Sequence, residues 1–263
     1  KITTNALSQV SNYWLSGHWA DVDNDGDPDV YVGVATTGRQ SVFYRNDGGG
    51  RFTAVSIVPT VDAASRDLAL VAWGDYDQDG WVDLFIPGYT HPGNNHLFRN
   101  LGDLNFKSMT AAEVGDLVAP ATHEGSPAGW WIDYDNDGDL DIYVWQRVFA
   151  LYLNSGSGFF TRTFTGSIAN APDQAGIPSW ADYDNDGYLD LFMPRPIGAG
   201  INALHHNLGG TNSVEVTGAG LDRAMTSISG SWGDYDNDGN LDLFVVNPLN
   251  WVSPVLRSAN MLY

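Results

Sequence analysis

The stretch Trp73-Gly-Asp-Tyr-Asp-Gln-Asp-Gly-Trp-Val-Asp-Leu-Phe-Ile86 decides the interpretation of this 263-residue chain, because four other segments repeat it. Counterparts that align without a gap run from Trp19 to Val32, Trp131 to Val144, Trp180 to Met193 and Trp232 to Val245. Their first aspartates follow one another at intervals of 49 to 58 residues. A period of this length indicates tandem copies of one supersecondary unit.

Each repeat is predicted to form four short β-strands. An apolar stretch ends at the tryptophan, and a second strand such as 84–86 leaves the aspartate-rich loop. A third strand precedes a turn rich in Asn and Gly, and a stretch such as 106–110 forms the fourth strand. Four strands per repeat are typical of a propeller blade.

The two ends of the chain predict how the repeats close. The fifth repeat stops at Asn260-Met-Leu-Tyr263, inside its third strand, while residues 1–7 resemble the fourth strands of the other repeats. The sequence therefore predicts an all-β fold, a five-bladed β-propeller of four-stranded blades in a single domain over residues 1–263. The N-terminal strand would close the last blade. A fragment of a larger ring and strand exchange between neighbouring molecules are the alternatives.

The repeated loops follow the pattern Asp-x-Asp-x-Asp-Gly-x-x-Asp. A hard cation that takes about six to eight oxygen ligands explains this spacing, because alternate side chains converge as the chain turns. The glycine permits the tight bend, the seventh residue offers its backbone carbonyl, and the ninth-position aspartate completes the coordination sphere. An EF-hand is excluded, because no Glu follows at position twelve and strands flank the loop.

The predicted calcium loops span residues 21–29, 75–83, 133–141, 182–190 and 234–242. Their carboxylate ligands are Asp21, Asp23, Asp25, Asp29, Asp75, Asp77, Asp79, Asp83, Asp133, Asp135, Asp137, Asp141, Asp182, Asp184, Asp186, Asp190, Asp234, Asp236, Asp238 and Asp242. Their carbonyl ligands belong to Asp27, Trp81, Asp139, Tyr188 and Asn240. Four crowded carboxylates repel one another, and about five Ca²⁺, one per blade, would remove that repulsion. Mg²⁺ fits less well, because it prefers octahedral geometry with retained waters.

Composition narrows the classes of function. The formal net charge is −20, with only 12 Lys and Arg, so a nucleic-acid partner is excluded and divalent cations are the expected partners. Cysteine is absent, so no disulfide stabilises the fold and metal would take that role outside the cell. No apolar run approaches the roughly 20 residues that span a bilayer. An extracellular location, secreted or at the cell surface, is the expectation.

The sequence also resembles a known family. The motif at residues 232–244, together with Leu-Phe-Arg-Asn-Leu-Gly at 97–102, is similar to the FG-GAP/VCBS repeats of integrin α propellers and cartilage acidic protein-like proteins. The resemblance implies a β-propeller whose loop carboxylates bind structural Ca²⁺, and it extends over essentially the whole chain. Gln78 and Pro28 depart from the usual Asn and Leu, and rings in the family commonly have seven blades.

A ligand is expected on the face opposite the calcium loops. Exposed aromatic, His and Arg side chains there suit glycans. The candidates are Trp14, Tyr89, His91, Trp145, Arg195 and Trp251, with Tyr13, His123, Glu124, Arg147 and Arg223 beside them. The alternative is that most of them pack over neighbouring blades. The repeat tryptophans 19, 73, 131, 180 and 232 are predicted to lie in the core, and His205 and His206 at the surface rather than on a metal.

Three functions are consistent with this sequence. The first is a recognition or adhesion module that binds a glycan or an extracellular protein. The second is a structural subunit that polymerises by strand exchange. The third is a polysaccharide lyase or hydrolase that uses His91, His123, Glu124 and Tyr89 as acid and base. Repetition argues against a single catalytic centre, so no catalytic residue is assigned.

Overall fold

The computed structural model describes residues 16–33, 41–57, 70–88, 94–119, 128–145, 148–171, 176–195, 201–217, 220–221, 227–247 and 261–262. The strands in chain order are β1 Ser16–Ala20, β2 Asp29–Gly33, β3 Val42–Asn46, β4 Phe52–Val55, β5 Ala72–Gly74, β6 Asp83–Ile86, β7 His96–Asn100, β8 Phe106–Ser108, β9 Ala128–Ile132, β10 Asp141–Trp145, β11 Ala150–Asn154, β12 Phe160–Thr163, β13 Ser179–Ala181, β14 Asp190–Met193, β15 Ala203–Asn207, β16 Ser213–Val216, β17 Ser229–Gly233, β18 Asp242–Val246 and β19 Met261–Leu262. A one-turn helix α1 (Ala111–Val114) and two 3-10 segments (Asp116–Val118 and Ile168–Asn170) complete the described elements.

Each strand pairs antiparallel with the next strand of its own repeat. Four sheets have four strands, in the orders β1–β4, β5–β8, β9–β12 and β13–β16, and a fifth contains β17, β18 and β19. The all-β fold and the four-stranded repeat are thus confirmed for four repeats. In the fifth repeat three strands fall within the described part of the chain, and the predicted closing strand at residues 1–7 lies outside it.

The second strand of a repeat is the most buried. Strands β2, β6 and β14 are buried along their whole length, and β10 is buried up to its last residue. Their continuous apolar runs, such as Leu84-Phe85-Ile86, match this position, because both faces of the strand are covered. Each of these strands begins with the aspartate that ends the preceding loop, so the loop and the core strand form one continuous segment.

The chain divides into two compact units, each with its own packing. Residues 1–132 and 139–163 form the first unit, where one core lies between the first two sheets and another between the second and third. Residues 133–138 and 164–263 form the second unit, where Phe192, Leu204 and Leu243 belong to the core that joins the fourth and fifth sheets.

Two kinds of contact link successive repeats within a unit. The asparagine that ends the third strand donates its side-chain N–H to a carbonyl in the preceding loop, as Asn100 Nδ2 does to Val22 O at 2.9 Å and Asn154 Nδ2 to Tyr76 O at 2.8 Å. In two loops a tyrosine also stacks on the repeat tryptophan that follows, in the pairs Tyr76–Trp131 and Tyr183–Trp232. The ring centroids of Tyr76 and Trp131 are 6.4 Å apart and nearly parallel.

The prediction that the repeat tryptophans lie in the core is correct in part. Trp73, Trp131 and Trp232 are half-buried and pack against the core clusters, and Trp180 is also half-buried. Trp19 is 58% exposed, so the prediction is wrong for the first repeat. The described residues contain no helix long and apolar enough to cross a membrane.

Candidate metal centres

The first aspartate of every loop fixes the backbone turn. Its two carboxylate oxygens accept the N–H groups of the fifth and sixth loop residues, as Asp75 does from Asp79 at 3.0 Å and Gly80 at 2.9 Å. The same pair of bonds recurs at Asp21, Asp133, Asp182 and Asp234. All five loops therefore share one backbone conformation.

That conformation explains two sequence positions. The fourth residue adopts a left-handed backbone with φ of 55° to 61°, which Asn tolerates better than most residues, and the sixth is a glycine near φ 90°. Gln78 departs from Asn at the fourth position but has φ 57°, so the departure does not change the loop. Its Nε2 donates to Asp139 Oδ1 of the next loop at 2.7 Å.

The last aspartate of the loop is anchored in the sheet. Asp29, Asp83, Asp141 and Asp190 have no exposed surface. Asp83 accepts the backbone N–H of Asn100 at 2.8 Å and that of Tyr76 at 3.2 Å. Burial raises the pKa of Asp83 to about 8, because these two hydrogen bonds offset only part of the cost of removing its charge from water. Burial raises the pKa of Asp29 and Asp190 in the same direction.

The second aspartate carries the clearest sign of a missing partner. One buried carboxylate oxygen, Oδ1, has no hydrogen-bond donor at Asp23, at Asp77 and at Asp135. Burial, followed by repulsion from the third aspartate of the loop, raises the pKa of all three. A buried acceptor left unpaired at the same position of three repeats is compatible with a bound cation.

The carboxylates converge as the spacing predicts. One oxygen from each of Asp21, Asp23 and Asp29 lies within 4.8 Å of the others, and the same holds for the triplets 75, 77, 83 and 182, 184, 190. In the third loop, Asp133 and Asp135 belong to the second unit, whereas Asp141 belongs to the first, where it accepts the Asn154 N–H at 2.7 Å. In the fifth loop, Asp234 holds the same turn, and Asp242 is half-buried.

These donor sets fit a hard divalent cation. Carboxylate oxygens with unpaired acceptor capacity, clustered and partly desolvated, are the ligands that Ca²⁺ takes in proteins. A bound cation would also remove the repulsion that raises the aspartate pKa values. The carbonyl ligands predicted at Asp27, Trp81, Asp139, Tyr188 and Asn240 remain a prediction.

The position directly before the asparagine that ends the third strand was not predicted as part of the site, and its side chain contacts the loop aspartates in two repeats. In the second repeat it is Arg99, whose Nε lies 2.7 Å from Asp77 Oδ2 and whose Nη2 lies 2.9 Å from Asp79 Oδ2. In the fourth repeat it is His206, whose Nδ1 is 3.1 Å from Asp190 Oδ1 and 3.3 Å from Asp184 Oδ2. The motif spacing alone does not show this position, because about 16 to 22 residues separate it from the loop carboxylates.

The prediction of a surface position is wrong for His205. His205 is buried, because it takes the core position that Tyr44, Phe98 and Tyr152 occupy in the first three repeats, and burial lowers its pKa to about 4. Its Nδ1 contacts Ser167 Oγ at 2.9 Å. His206 is half-buried and faces the fourth loop.

The structure describes two of the predicted ligand residues. Trp145 is half-buried and stacks on Phe149, with ring centroids 5.8 Å apart, so packing accounts for one face of its ring. Arg195 is half-buried, and its Nε is buried without a hydrogen-bond acceptor. The other candidates lie outside the described residues: Tyr13, Trp14, Tyr89, His91, His123, Glu124, Arg147, Arg223 and Trp251.

The loop pattern and the repeated sheets correspond to a known family. The FG-GAP-like repeat matches residues 21–86, 75–144 and 133–193, more than half of the chain. The chain belongs to the FG-GAP-like repeat family. Each matched FG-GAP-like segment runs from the first aspartate of one loop to the second strand of the next repeat, so the family pattern contains the metal loops described above.

Solved structures with a similar fold include a lectin and a protein complex. The FG-GAP-like chain is 14% identical to an Agrocybe aegerita lectin that specifically recognises non-reducing terminal N-acetylglucosamine, with a TM-score of 0.43 over 88% of this chain and 74% of that chain. It is 11% identical to a chain of the BBS1N complex with ARL6DN, with a TM-score of 0.49 over 91% of this chain and 67% of that chain. No curated protein matches the sequence.

Proposed function

We propose that this FG-GAP-like repeat protein is a calcium-stabilised β-propeller that serves outside the cell as a recognition module for a glycan or a protein. The unpaired Oδ1 atoms of Asp23, Asp77 and Asp135 carry the calcium part of the proposal. They lie at one position of three loops that share one backbone conformation. A Ca²⁺ ion in each loop supplies the partner that these oxygens lack.

Metal removal tests the calcium proposal. Because Ca²⁺ binds the folded loops and not the unfolded chain, saturation is expected to stabilise the fold by about 2.7 kcal/mol per site at a hundredfold excess over Kd. EDTA should therefore lower the Tm markedly, and added Ca²⁺ should restore it. Elemental analysis of the desalted protein should find several Ca²⁺ per chain. An unchanged Tm together with metal-free protein would refute the proposal.

The closing strand of the proposed five-bladed ring can be tested directly. Residues 1–7 would supply the fourth strand beside Met261–Leu262, either within one chain or from a neighbour. Deletion of residues 1–7 is expected to lower the Tm of a monomer in the closed ring. Concentration-dependent polymers that this deletion abolishes would instead identify the structural subunit that polymerises by strand exchange.

The proposed recognition role is inferred from the difference between the residues that the repeats share and those that vary. The shared residues form the loops and the core, so the task that distinguishes this protein falls to the variable connections. Arg195, with its unpaired buried Nε, is the described candidate for a ligand contact. A glycan array and pull-down with calcium-loaded protein should show binding that Arg195→Ala weakens. Absence of binding at high protein concentration would contradict the recognition role.

A further inference from the structure

We propose that the fourth loop is a mixed nitrogen and oxygen site that selects a transition-metal ion of the Zn²⁺ type over Ca²⁺, with His206 as the nitrogen ligand. This inference rests on the proposed function, because it takes the loops as metal sites. It differs from that proposal in the ion and in one ligand, which comes from strand β15 instead of from the loop.

The four described residues at the position of His206 are chemically different. The first four repeats place Arg45, Arg99, Leu153 and His206 there, each directly before the asparagine that ends the third strand. Arg99 brings a permanent positive charge to the second loop. Arg45 turns instead to Asp47, with 2.7 Å between Nη2 and Oδ1. Leu153 offers no polar atom. In the part of the chain that the structure describes, only His206 places an imidazole nitrogen beside a loop at this position.

The distances in the fourth loop suit a small ion. The Nδ1 atom lies 3.3 Å from Asp184 Oδ2, and one ligand atom from each of His206, Asp184 and Asp186 lies within 4.8 Å of the others. Ligand atoms about 2.0–2.2 Å from a tetrahedral Zn²⁺ are themselves about 3.3–3.6 Å apart. Ca²⁺ needs about six to eight oxygens at longer distances, and an imidazole nitrogen in the ring of ligands is unfavourable for it.

The imidazole is held in place by aromatic packing. The ring of Tyr183 meets that of His206 edge-on at 6.1 Å and an interplanar angle of 72°, and Tyr183 is itself stacked on Trp232. The buried carboxylate of Asp190 lies 3.1 Å from Nδ1 and accepts the Asn207 N–H at 2.8 Å. Fixed orientation of a histidine ligand is a feature of transition-metal sites, because it lowers the entropy lost when the metal binds.

The test compares metals bound by matched variants of the full chain. Protein stripped with EDTA and freed of chelator is equilibrated with excess Ca²⁺ and stoichiometric Zn²⁺, desalted, and analysed for both metals. Wild-type protein is expected to retain about one Zn²⁺ per chain. His206→Leu, which copies Leu153 of the third repeat, should lose that Zn²⁺ and retain its Ca²⁺. Arg45→Leu makes the same change at the same strand position of the first repeat and should retain Zn²⁺.

Spectroscopy identifies the ligand atom if a variant folds poorly. The Nδ1 resonance of His206 is the one that the histidine ¹⁵N spectrum of His206→Leu lacks. In wild-type protein Zn²⁺ should shift this resonance, and Ca²⁺ should not. Equal Zn²⁺ retention by wild type and His206→Leu would overturn the inference. So would a His206 resonance that responds to pH alone, since His206 would then act as a counterion in the manner of Arg99. Loss of all Ca²⁺ binding with the Zn²⁺ difference intact would refute the calcium proposal and leave this one standing.

Discussion

The second and fifth repeats begin their loops with the same four residues, Trp-Gly-Asp-Tyr, and yet the same tyrosine has opposite environments. Tyr76 is 2% exposed and stacks on Trp131, whereas Tyr235 is 75% exposed. The turn itself does not differ, since Asp75 and Asp234 accept the same two backbone N–H groups. The comparison shows that the loop is a local structure, while the burial around it depends on the repeat that follows.

The largest expected effect separates the two tyrosines. Tyr76→Ala removes a ring packed against Trp131 and Phe160 and is expected to cost about 3–5 kcal/mol of unfolding free energy. Tyr235→Ala is expected to cost less than about 0.5 kcal/mol, because the Tyr235 side chain is 75% exposed. Urea denaturation in saturating Ca²⁺ measures both.

The outcome for Tyr235 decides whether the two repeats are equivalent. Tyr235→Phe is the control, since it keeps the ring and should change the unfolding free energy by less than about 0.5 kcal/mol. A cost for Tyr235→Ala as large as that for Tyr76→Ala would contradict the difference between the two environments.

The junction asparagines should show an intermediate effect. Asn100 has no exposed surface and donates to both Val22 O and Val82 O, at 2.9 Å and 3.2 Å. Asn100→Ala leaves the buried carbonyl of Val22 and the half-buried carbonyl of Val82 without this donor, so we expect a loss of about 2–3 kcal/mol. Asn46→Ala should cost about 1 kcal/mol, because Asn46 is half-buried. Thermal and urea unfolding of both variants would check this order, and equal small losses would contradict the junction role of Asn100.

The smallest effect is expected at the glycine before the loop. A Cβ atom at Gly74 would lie 2.8 Å from Trp131 Cδ1, so Gly74→Ala should cost about 1–2 kcal/mol as the indole shifts. At Gly233 no atom lies within 4 Å of such a Cβ. Gly233→Ala should therefore be neutral or slightly stabilising, because the added methyl group meets no neighbour. Equal losses of Tm for Gly74→Ala and Gly233→Ala would contradict this difference.

The candidate metal loops could be predicted from sequence because their interactions are short in range. Asp21 binds the backbone N–H groups of residues four and five positions later, and Asn24 and Gly26 have the intrinsic freedom that the turn requires. The pattern of residue types therefore specifies the loop without reference to the rest of the chain. The alternation of short apolar strands and turns predicted the four-stranded sheets for the same reason.

The environment of each loop could not be predicted in this way. Arg99 and His206 reach their loops through antiparallel pairing, so only the strand register shows which aspartates they face. His205 is buried because it takes an aromatic core position, which its polar side chain did not suggest. Trp19 repeats the residue type of Trp73 and is nevertheless exposed.

The sequence by itself determined the five loops, their donor atoms and the strand content, because backbone hydrogen bonds and residue conformations within about nine positions decide these features. Only the tertiary structure decided which loop carries a guanidinium, which an imidazole, and which tyrosine is covered. Those differences arise from contacts between strands and between repeats, where residues far apart in the chain share one desolvated space.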